Sequence, residues 1–344
     1  MIKKILSLIF FLLCQKSFGS FDPVISVDLD RSHSLISTNP GWHLKQIGLT
    51  PILEKASSNN RAVTIAVIDS GIDFQHPLFK NHIYKNLSEI PNNGIDDDKN
   101  GFIDDYQGFN FINHSSDATD DNGHGTHVSG IIAADCDYQE SVCGILKKVN
   151  ILPLKFLNKE GRGSTSAAVE AIYYAIKMNV DVINASFGSD EFSVELYQAI
   201  KAAEDKGIIF VTAAGNYSNN NDLVNIYPAN FNLSNVIAVS ATDVNDQLDF
   251  LSNFGPTTVT VAAPGKEIKS TFLNGKFETL NGTSMATPIV SSVVGLMKQA
   301  NKKINPKMIK SILKNSCDQN DNLMDKIACH GRINIAKAVL NPNQ

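Results

Sequence analysis

The sequence predicts an α/β domain built on a doubly wound, mostly parallel sheet with helices on both faces, in three layers. Short apolar runs recur along the chain, and amphipathic patterns separate the middle ones, as is typical of parallel sheets. The runs are residues 63–68, 151–157, 180–185, 208–213 and 236–239. The 344 residues could hold two domains, but no linker rich in Pro, Gly or Ser divides their middle. We therefore expect one domain.

The predicted helices follow from their caps and apolar faces. Residues 164–178 and 194–206 carry apolar side chains on one face behind Ser or Thr, as crossover helices do. Asn305 and Pro306 form an N-cap and first-turn pair, and residues 289–297 predict a buried helix. The chain is therefore expected to close with helices.

The first 19 residues predict a secretory signal peptide. Lys3 and Lys4 precede an apolar stretch over residues 5–13, and small residues follow. This stretch is about half of the roughly 20 residues that a spanning helix needs, so we expect no stable membrane anchor. Cys14 leaves open lipoprotein anchoring, which Leu13 disfavours because a small residue is expected there. We expect a secreted protein, extracellular or periplasmic.

Removal of the predicted leader would leave a short N-terminal segment and an even number of cysteines. A short N-terminal segment, residues 20–41, would precede a main domain over residues 42–344. Four cysteines would remain, which suggests two disulfides with three possible connectivities, against the alternative of four buried thiols. The local pairings are Cys136–Cys143 and Cys317–Cys329. The net charge of −5 gives no basic footprint for nucleic acid, and we expect a monomer.

Three polar residues stand where an α/β sheet commonly builds its sites. Asp69 ends a predicted central strand, at the edge where ligand crevices form. His124 follows a glycine and precedes an apolar segment that looks helical. Ser284 precedes a buried helix, whose N-terminus favours a developing negative charge. A serine nucleophile, a histidine base and an orienting carboxylate are the parts of a hydrolytic triad, although each residue alone is more often a cap or a structural residue.

Together these segments resemble the subtilisin-like serine proteases, the subtilases. The resemblance is carried by Val67-Ile68-Asp69-Ser70-Gly71-Ile72-Asp73, by residues 122–130 around His124, and by residues 281–288 around Ser284. It covers the chain from about Trp42 to Leu340. It implies a serine endopeptidase that acts on proteins or peptides, with Asp69, His124 and Ser284 as the triad.

The resemblance also implies an oxyanion donor and a substrate groove. Residues 210–216 resemble the family's oxyanion-hole strand, which makes Asn216 the implied donor. Residues 161–163 and 185–188 resemble the two edges that clamp an extended substrate by main-chain hydrogen bonds, although plain turns also explain the glycines. The implied substrate-binding residues are Gly161, Gly163, Ser186, Phe187, Gly188, Ala214, Gly215 and Ile226.

Ile226 is implied at the floor of the pocket for the side chain before the scissile bond. A branched residue there removes volume, so Ala to Leu should be preferred over large aromatic residues. The alternative is that Ile226 points into the core, as branched apolar residues commonly do.

The stretch of residues 92–110 is rich in Asp, Asn and Gly, lacks an apolar period and predicts a loop. Its oxygen side chains alternate before Gly101, as in a calcium loop. The expected ligands of a structural calcium ion are Asp96, Asp98, Asn100, Asp104 and Asp105. The alternative is a solvated acidic loop, although charges this dense repel without a cation.

Two departures from the family pattern, and two rival functions, stay open. Only about twenty residues separate the predicted leader from Trp42, too few for an inhibitory pro-domain, so restraint of activity is unexplained. The loop of residues 136–143 does not resemble the family's main-chain calcium loop, and a disulfide is the expected brace.

The rivals are a peptide-binding pseudoprotease, which has no need of a complete triad, and a peptide ligase, which no sequence feature favours.

Overall fold

The structure is a computed structural model that describes residues 22–27, 29–31, 41–49, 61–137 and 139–340. The predicted leader, including Cys14, lies outside these residues. The described strands are β1 (Val24–Ser26), β2 (Val63–Asp69), β3 (Phe109–Asn110), β4 (Val149–Lys155), β5 (Arg162–Ser164), β6 (Val182–Ala185), β7 (Ile209–Ala213), β8 (Val236–Thr242), β9 (Val261–Pro264), β10 (Ile268–Phe272), β11 (Lys276–Leu280), β12 (Cys317–Gln319) and β13 (Gly331–Ile333).

Helices connect these strands and close the chain. The described α-helices are α1 (Trp42–Gln46), α2 (His124–Ala133), α3 (Thr165–Lys177), α4 (Val194–Asp205), α5 (Thr283–Ala300), α6 (Pro306–Asn315) and α7 (Ile335–Leu340). Short 3₁₀ helices span Pro77–Phe79, Leu273–Gly275 and Asp321–Leu323. No described helix combines the length and apolarity needed to cross a membrane.

The main sheet has nine strands in the order β12-β13-β9-β8-β7-β6-β2-β4-β3. The pairs from β13 to β3 are parallel, and β12 pairs antiparallel with β13. The prediction of a mostly parallel sheet is therefore confirmed. Two antiparallel pairs, β10 with β11 and β1 with β5, lie outside it.

Helices cover both faces because the central strands are apolar on both sides. In β2, Val63, Ile65 and Val67 belong to one core, which also contains residues of α2 and α5. Ala66 and Ile68 alternate with them and belong to a second core, with residues of α3 and α4. Successive side chains of a strand point to opposite faces, so one strand contributes to both cores. The prediction of helices on both faces is confirmed.

The predicted caps hold the helix starts. Ser164 accepts a hydrogen bond from the backbone N–H of Ala167 at α3, and Asn305 accepts one from Met308 at α6.

The predicted loop of residues 92–110 needs a small correction, because its last two residues form β3 beside β4. Two residues are too few for a periodic pattern, so tertiary pairing alone determines this strand.

The structure pairs the four cysteines locally. Cys136 is bonded to Cys143, and Cys317 is bonded to Cys329. The first bridge closes the loop after α2, where the sequence analysis expects a brace. Of the three connectivities left open, the structure has the local one.

Candidate active site

Asp69 and His124 form a buried pair at the carboxyl edge of the sheet. Asp69 ends β2, His124 begins α2, and both side chains are 0% exposed. His124 Nδ1 lies 2.8 Å from Asp69 Oδ1 and 3.0 Å from Oδ2. The backbone N–H of Ser70 donates to the same Oδ1 at 2.7 Å. A carboxylate held in this way orients the imidazole and favours the tautomer with its proton on Nδ1.

A buried aspartate that the sequence analysis did not single out anchors the start of α2. Gly123 is the N-cap and has no side chain, so Asp120 supplies the acceptors. Asp120 accepts from the N–H groups of Gly123 and Thr126 at 2.9 Å each, and from the Ser70 hydroxyl at 2.8 Å. Because Ser70 follows Asp69, this contact ties β2 to the turn that presents His124. An acidic residue four positions before a predicted helix start is a capping signal that could have identified it.

His127, one turn along α2, has a structural environment. Its Nε2 lies 3.1 Å from the carbonyl oxygens of Ile268 and Glu278, so it is the donor to both. Burial, with a smaller contribution from the nearby His124, lowers the pKa of His127 to about 3. The neutral ring therefore fastens α2 to the β10–β11 hairpin.

Ser284 lies in the first turn of α5, which packs against α2. Its hydroxyl donates to the carbonyl oxygen of Ser186 at 3.1 Å, and the Ser186 hydroxyl donates to the Ser284 carbonyl at 2.9 Å. The Asn184 amide donates to the Ser186 hydroxyl at 3.1 Å. These contacts fix the start of α5 to the carboxyl end of β6. The N–H groups of a first helical turn lack partners within the helix, so they are donors for an anion.

Asn216 follows β7 and is oriented by Thr283. Its Oδ1 accepts from both the backbone N–H and the hydroxyl of Thr283, at 2.9 Å each. These donors identify Oδ1 and leave Nδ2 as the donor side of the amide. Gly282, at φ 129°, makes room for that amide, because a Cβ there would lie 3.0 Å from Asn216 Nδ2. Thr283 belongs to the motif around Ser284, and its role becomes visible only in the structure.

One cavity brings together the residues predicted around the scissile bond. Its lining residues are Ser26, Val27, Ser186, Phe187, Gly188, Ala213, Gly215, Asn216, Tyr217, Ile226, Thr283 and Ser284. Ala214, a predicted member, is buried in the core instead, and its carbonyl accepts from the Asn221 and Asn253 side chains. Adjacent residues at a strand end face opposite ways, so Ala213 lines the cavity and Ala214 does not.

Ile226 points between two walls of this cavity. Its Cγ2 lies 3.1 Å from the position of a Cβ built on Gly188 and 3.6 Å from one built on Gly215. Ile226 is 2% exposed, and neither of the two described cores includes it. Its methyl groups therefore fill space beside these glycines.

The two predicted groove edges lie on either side of the chain's own N-terminal residues. Strand β1 pairs antiparallel with β5, with Ile25 opposite Gly163, and Ser26 forms an antiparallel bridge with Gly188. Gly161 has φ 71°, and a Cβ there would lie 2.6 Å from the Val27 carbonyl oxygen. Glycine at 161 thus permits a close backbone approach.

The acidic loop groups a different set of oxygens from the predicted one. Glu89, Asp96 and Asp98 each place a carboxylate oxygen within 4.8 Å of the other two. Asp104 instead accepts from the N–H groups of Asn93 and Gly94, at 2.9 and 3.0 Å. Of the five predicted ligands, Asp96 and Asp98 are in the group. Glu89 lies before the alternating stretch, so the local sequence pattern does not identify it.

The other two predicted ligands serve as connectors. Asp105 is 0% exposed, accepts from Asn86 and Asn100 at 3.0 and 2.8 Å, and accepts from the Tyr174 hydroxyl at 2.6 Å. These contacts lower the need for a cation at Asp105, because its oxygens already have donors. Asn100 directs its amide nitrogen toward Asp98 and Asp105, so that side of its amide cannot bind a cation.

Comparisons with known proteins show the family and the fold. A model of the subtilase family matches residues 60–331. Over 322 residues, the chain is 34% identical to subtilisin-like protease 1 of Plasmodium berghei (strain Anka), which covers 88% of this chain and 54% of that protein. It is 36% identical over 233 residues to the thermophilic serine proteinase of Bacillus sp. (strain AK1), covering 68% of this chain and 51% of that protein. The chain thus spans about half the length of these curated relatives.

A solved structure shows the same fold. The crystal structure of a cold adapted subtilisin-like serine proteinase superimposes with a TM-score of 0.65 at 28% identity. The match covers 86% of this chain and 97% of that one. The likeness therefore extends over nearly all of both chains.

Proposed function

Because the chain belongs to the subtilase family, we propose that it is a serine endopeptidase with Ser284 as nucleophile, His124 as general base and Asp69 as the residue that orients the base. The observation that carries this proposal is the buried hydrogen bond between Asp69 and His124 Nδ1, on a helix packed against the one that begins at Ser284. Held by Asp69, the imidazole presents Nε2 as its basic nitrogen.

Catalysis would proceed through an acyl-enzyme. The Ser284 hydroxyl rotates away from the Ser186 carbonyl, loses its proton to His124 Nε2 and attacks the scissile carbonyl carbon. Asn216 Nδ2 and the backbone N–H of Ser284 donate to the oxyanion as it forms. His124 then gives the proton to the leaving amine, and water repeats the sequence to release the acid. Thr283 acts through Asn216 as a positioning residue, because it holds Oδ1 of the amide.

Hydrolysis of an internally quenched peptide tests the proposal. A serine-directed phosphonate should abolish cleavage and leave one adduct, which peptide mapping should locate at Ser284. Water is the acyl acceptor, so both product masses should correspond to hydrolysis and not to ligation. Binding of the peptide without any turnover would contradict the proposal and favour the pseudoprotease.

Ile226 sets the specificity of the pocket in this proposal. Its position beside Gly188 and Gly215 supports the expectation that Ala to Leu is preferred before the scissile bond. We predict that Ile226→Gly raises the ratio of kcat/KM for Phe over Ala peptides by roughly 10- to 100-fold, since overfilling a packed site costs about 1–3 kcal/mol. Val224→Gly, at a half-exposed position in the same loop, is the control and should leave the ratio unchanged. An unchanged ratio in Ile226→Gly would exclude Ile226 from the pocket floor.

Calcium would bind at Glu89, Asp96 and Asp98. Glu89 is 4% exposed, and its Oε2 has no hydrogen-bond partner among the described residues, while Oε1 accepts from the N–H of Asp98. A buried carboxylate oxygen without a partner is costly, and a cation held by oxygen ligands relieves that cost. Bound calcium would supply charge neutralisation that holds the loop to the body of the domain.

We predict that calcium raises the unfolding temperature by about 5 °C at roughly 100 times its Kd, because only the folded chain presents the three carboxylates together. The measurement is thermal unfolding with calcium and with excess chelator, on Ser284→Ala to avoid self-digestion. The double variant Asp96→Asn, Asp98→Asn should lose the response. Asp104→Asn is the matched control, since its carboxylate bonds elsewhere. A full calcium response in the double variant would refute this site.

The proposed protease would be exported from the cytosol. The two disulfides of the structure support it, because such bonds persist in oxidising compartments outside the cytosol. The leader of residues 1–19 would direct it, and peptide or protein substrates would be met outside the cell or in the periplasm. The role of Cys14 in anchoring stays the alternative.

A further inference from the structure

We infer that Lys155 is a positioning residue for the pair of Asp69 and His124, because its buried ammonium fastens the turn that follows Asp69 to the turn that presents His124. The inference rests on the proposed function, since it takes Asp69 as the orienting carboxylate and His124 as the base. It concerns a residue that lies outside the motifs around the triad and has no part in the proton transfers of the proposed mechanism.

Lys155 is buried at the carboxyl edge of the main sheet. It ends β4 and lies opposite Asp69, which ends the neighbouring strand β2. It is 4% exposed, although lysine is rarely buried unless its charge is paired. A buried ammonium has lost its hydration, so it needs acceptors around it. The structure provides three acceptors, and they belong to three different segments of the chain.

The three acceptors account for every donor of the ammonium. Lys155 Nζ donates to the Ser70 carbonyl at 2.7 Å, to the Leu157 carbonyl at 2.9 Å and to Asp121 Oδ1 at 2.5 Å. An ammonium has three N–H groups, so these contacts use all of them. Hydrogen bonds from a charged donor are stronger than those between neutral groups. The three segments are therefore held firmly around one point.

Ser70 connects this ammonium to both members of the pair. Its N–H donates to Asp69 Oδ1 at 2.7 Å, and its hydroxyl accepts from the N–H of Gly125, next to His124, at 2.9 Å. Its carbonyl is the group that Lys155 holds. A rotation of the backbone at Ser70 would move the hydrogen bond to Asp69 and the contact with α2 together. Lys155 opposes that rotation.

Asp121 carries the second connection. It lies three residues before His124 and follows Asp120, which accepts from the first N–H groups of α2. The side chain of Asp121 is 51% exposed, and that of Lys155 is 5% exposed. Such an ion pair is weak evidence for stability, because desolvation of the buried charge offsets the attraction. The pair does fix a distance, since the turn before His124 and the turn after Asp69 meet on one ammonium.

The third acceptor anchors the ammonium without setting the shape of the groove. Leu157 follows β4, and its own N–H donates to the Asp69 carbonyl at 3.2 Å. The predicted groove edge is closed by its own turn, in which the N–H of Gly161 donates to the Asn158 carbonyl at 2.8 Å. Loss of Lys155 should therefore disturb the catalytic pair more than the groove.

The test replaces Lys155 by an uncharged residue of similar length and measures kcat and KM on the quenched peptide. Since a displacement of about 1 Å can cost roughly 100-fold in rate, we expect Lys155→Met to lower kcat by roughly 10- to 100-fold. KM should change by less than about threefold, because the groove keeps its own hydrogen bonds. Lys155→Arg keeps a cation with several donors and should have a kcat at least about threefold above that of Lys155→Met.

The matched control is Lys298→Met, at another buried lysine. Lys298 is 5% exposed and donates to the carbonyl oxygens of Gly207 and Ile304, at 3.0 and 3.2 Å. It lies near the opposite end of α5 from Ser284. The same charge and similar hydrogen bonds are lost, so a merely structural role of Lys155 would give the two variants the same kcat. We expect Lys298→Met to stay within about twofold of the parent kcat.

A milder pair of variants decides the matter if circular dichroism shows that Lys155→Met is unfolded. Asp121→Asn weakens one of the three contacts at a half-exposed position and should lower kcat by at least about threefold. Glu140→Gln is its control, because Glu140 is 44% exposed and its Oε2 lies 2.6 Å from Lys269 Nζ. Equal kcat values in folded Lys155→Met and Lys298→Met chains would overturn the inference. Where Lys155→Met is unfolded, equal values in Asp121→Asn and Glu140→Gln would overturn it.

A proton signal separates this inference from the proposed function. The proton on His124 Nδ1 lies in a buried hydrogen bond to Asp69, so it should exchange slowly with water and give its own resonance in proton NMR. In the Ser284→Ala background, Lys155→Met should raise its exchange rate by at least about tenfold, because the pair opens more easily, and Lys298→Met should not. If the function is wrong, no chain with Ser284 intact cleaves the peptide, while this difference persists. If only the inference is wrong, both lysine variants cleave with the same kcat and exchange this proton at the same rate.

Discussion

Ser284→Ala is expected to lower kcat by several orders of magnitude, on the order of 10⁶ as for the nucleophile of other proteases with this triad. The change removes the attacking oxygen, while Asp69, His124 and the oxyanion donors stay in place. The fold should persist, because the Ser284 hydroxyl makes its hydrogen bond to a single backbone carbonyl, that of Ser186. The measurement is hydrolysis of a quenched peptide by the full chain.

The matched control is Ser292→Ala on the same helix. Its hydroxyl is buried and donates to the Pro288 carbonyl, one turn back along α5. The same atom is lost from the same helix. Because this hydrogen bond is local to the helix and distant in role from catalysis, kcat should change by less than about twofold. Turnover by Ser284→Ala close to that of Ser292→Ala would remove Ser284 from the role of nucleophile.

Asp69→Asn is expected to lower kcat by roughly 10⁴, the second largest effect. The carboxylate accepts from His124 Nδ1 and cannot donate, so it selects one tautomer of the ring. An amide can donate through its nitrogen, which stabilises the tautomer with its proton on Nε2. That tautomer cannot accept the Ser284 proton. The substrate KM should change little, because Asp69 is buried beneath the histidine.

A second Asp–His pair supplies the control. His82 Nε2 lies 3.1 Å from Asp135 Oδ1. Neither residue has a role in the proposed mechanism. Asp135→Asn makes the same chemical change and should leave kcat within about twofold. Equal kcat values for Asp69→Asn and Asp135→Asn would show that Asp69 does not orient the catalytic base.

The candidate site could be predicted where its residues stand at the ends of regular elements. Asp69 ends a strand, and His124 and Ser284 begin helices, so motif and element coincide in the sequence. Their roles remain predictions, but the structure does bring Ser284, Asn216 and Ile226 to one cavity. An acidic residue before α2 is a local signal for Asp120, whereas Thr283 has no such signal, because its partner Asn216 lies 67 positions earlier in the chain.

The acidic loop shows where local pattern misleads. The alternating oxygens of residues 96–105 resemble one ligand set, but Asp104 and Asp105 are used to close the loop and to reach Tyr174. Glu89, seven residues earlier than Asp96, joins Asp96 and Asp98 instead. Only the folded loop determines which carboxylate oxygens come close together, and that proximity distinguishes the group of Glu89, Asp96 and Asp98.

The sequence by itself determined the central strands, their crossover helices, the mostly parallel sheet and the family, because apolar periodicity, caps and motifs are local properties of the chain. The tertiary structure alone decided what lies between the groove edges. Residues 22–27 carry too short a pattern to predict a strand, and β1 exists because β5 and Gly188 offer it unpaired backbone groups and a core for Ile25. A contact between residues more than a hundred positions apart depends on chain topology, which no local pattern encodes.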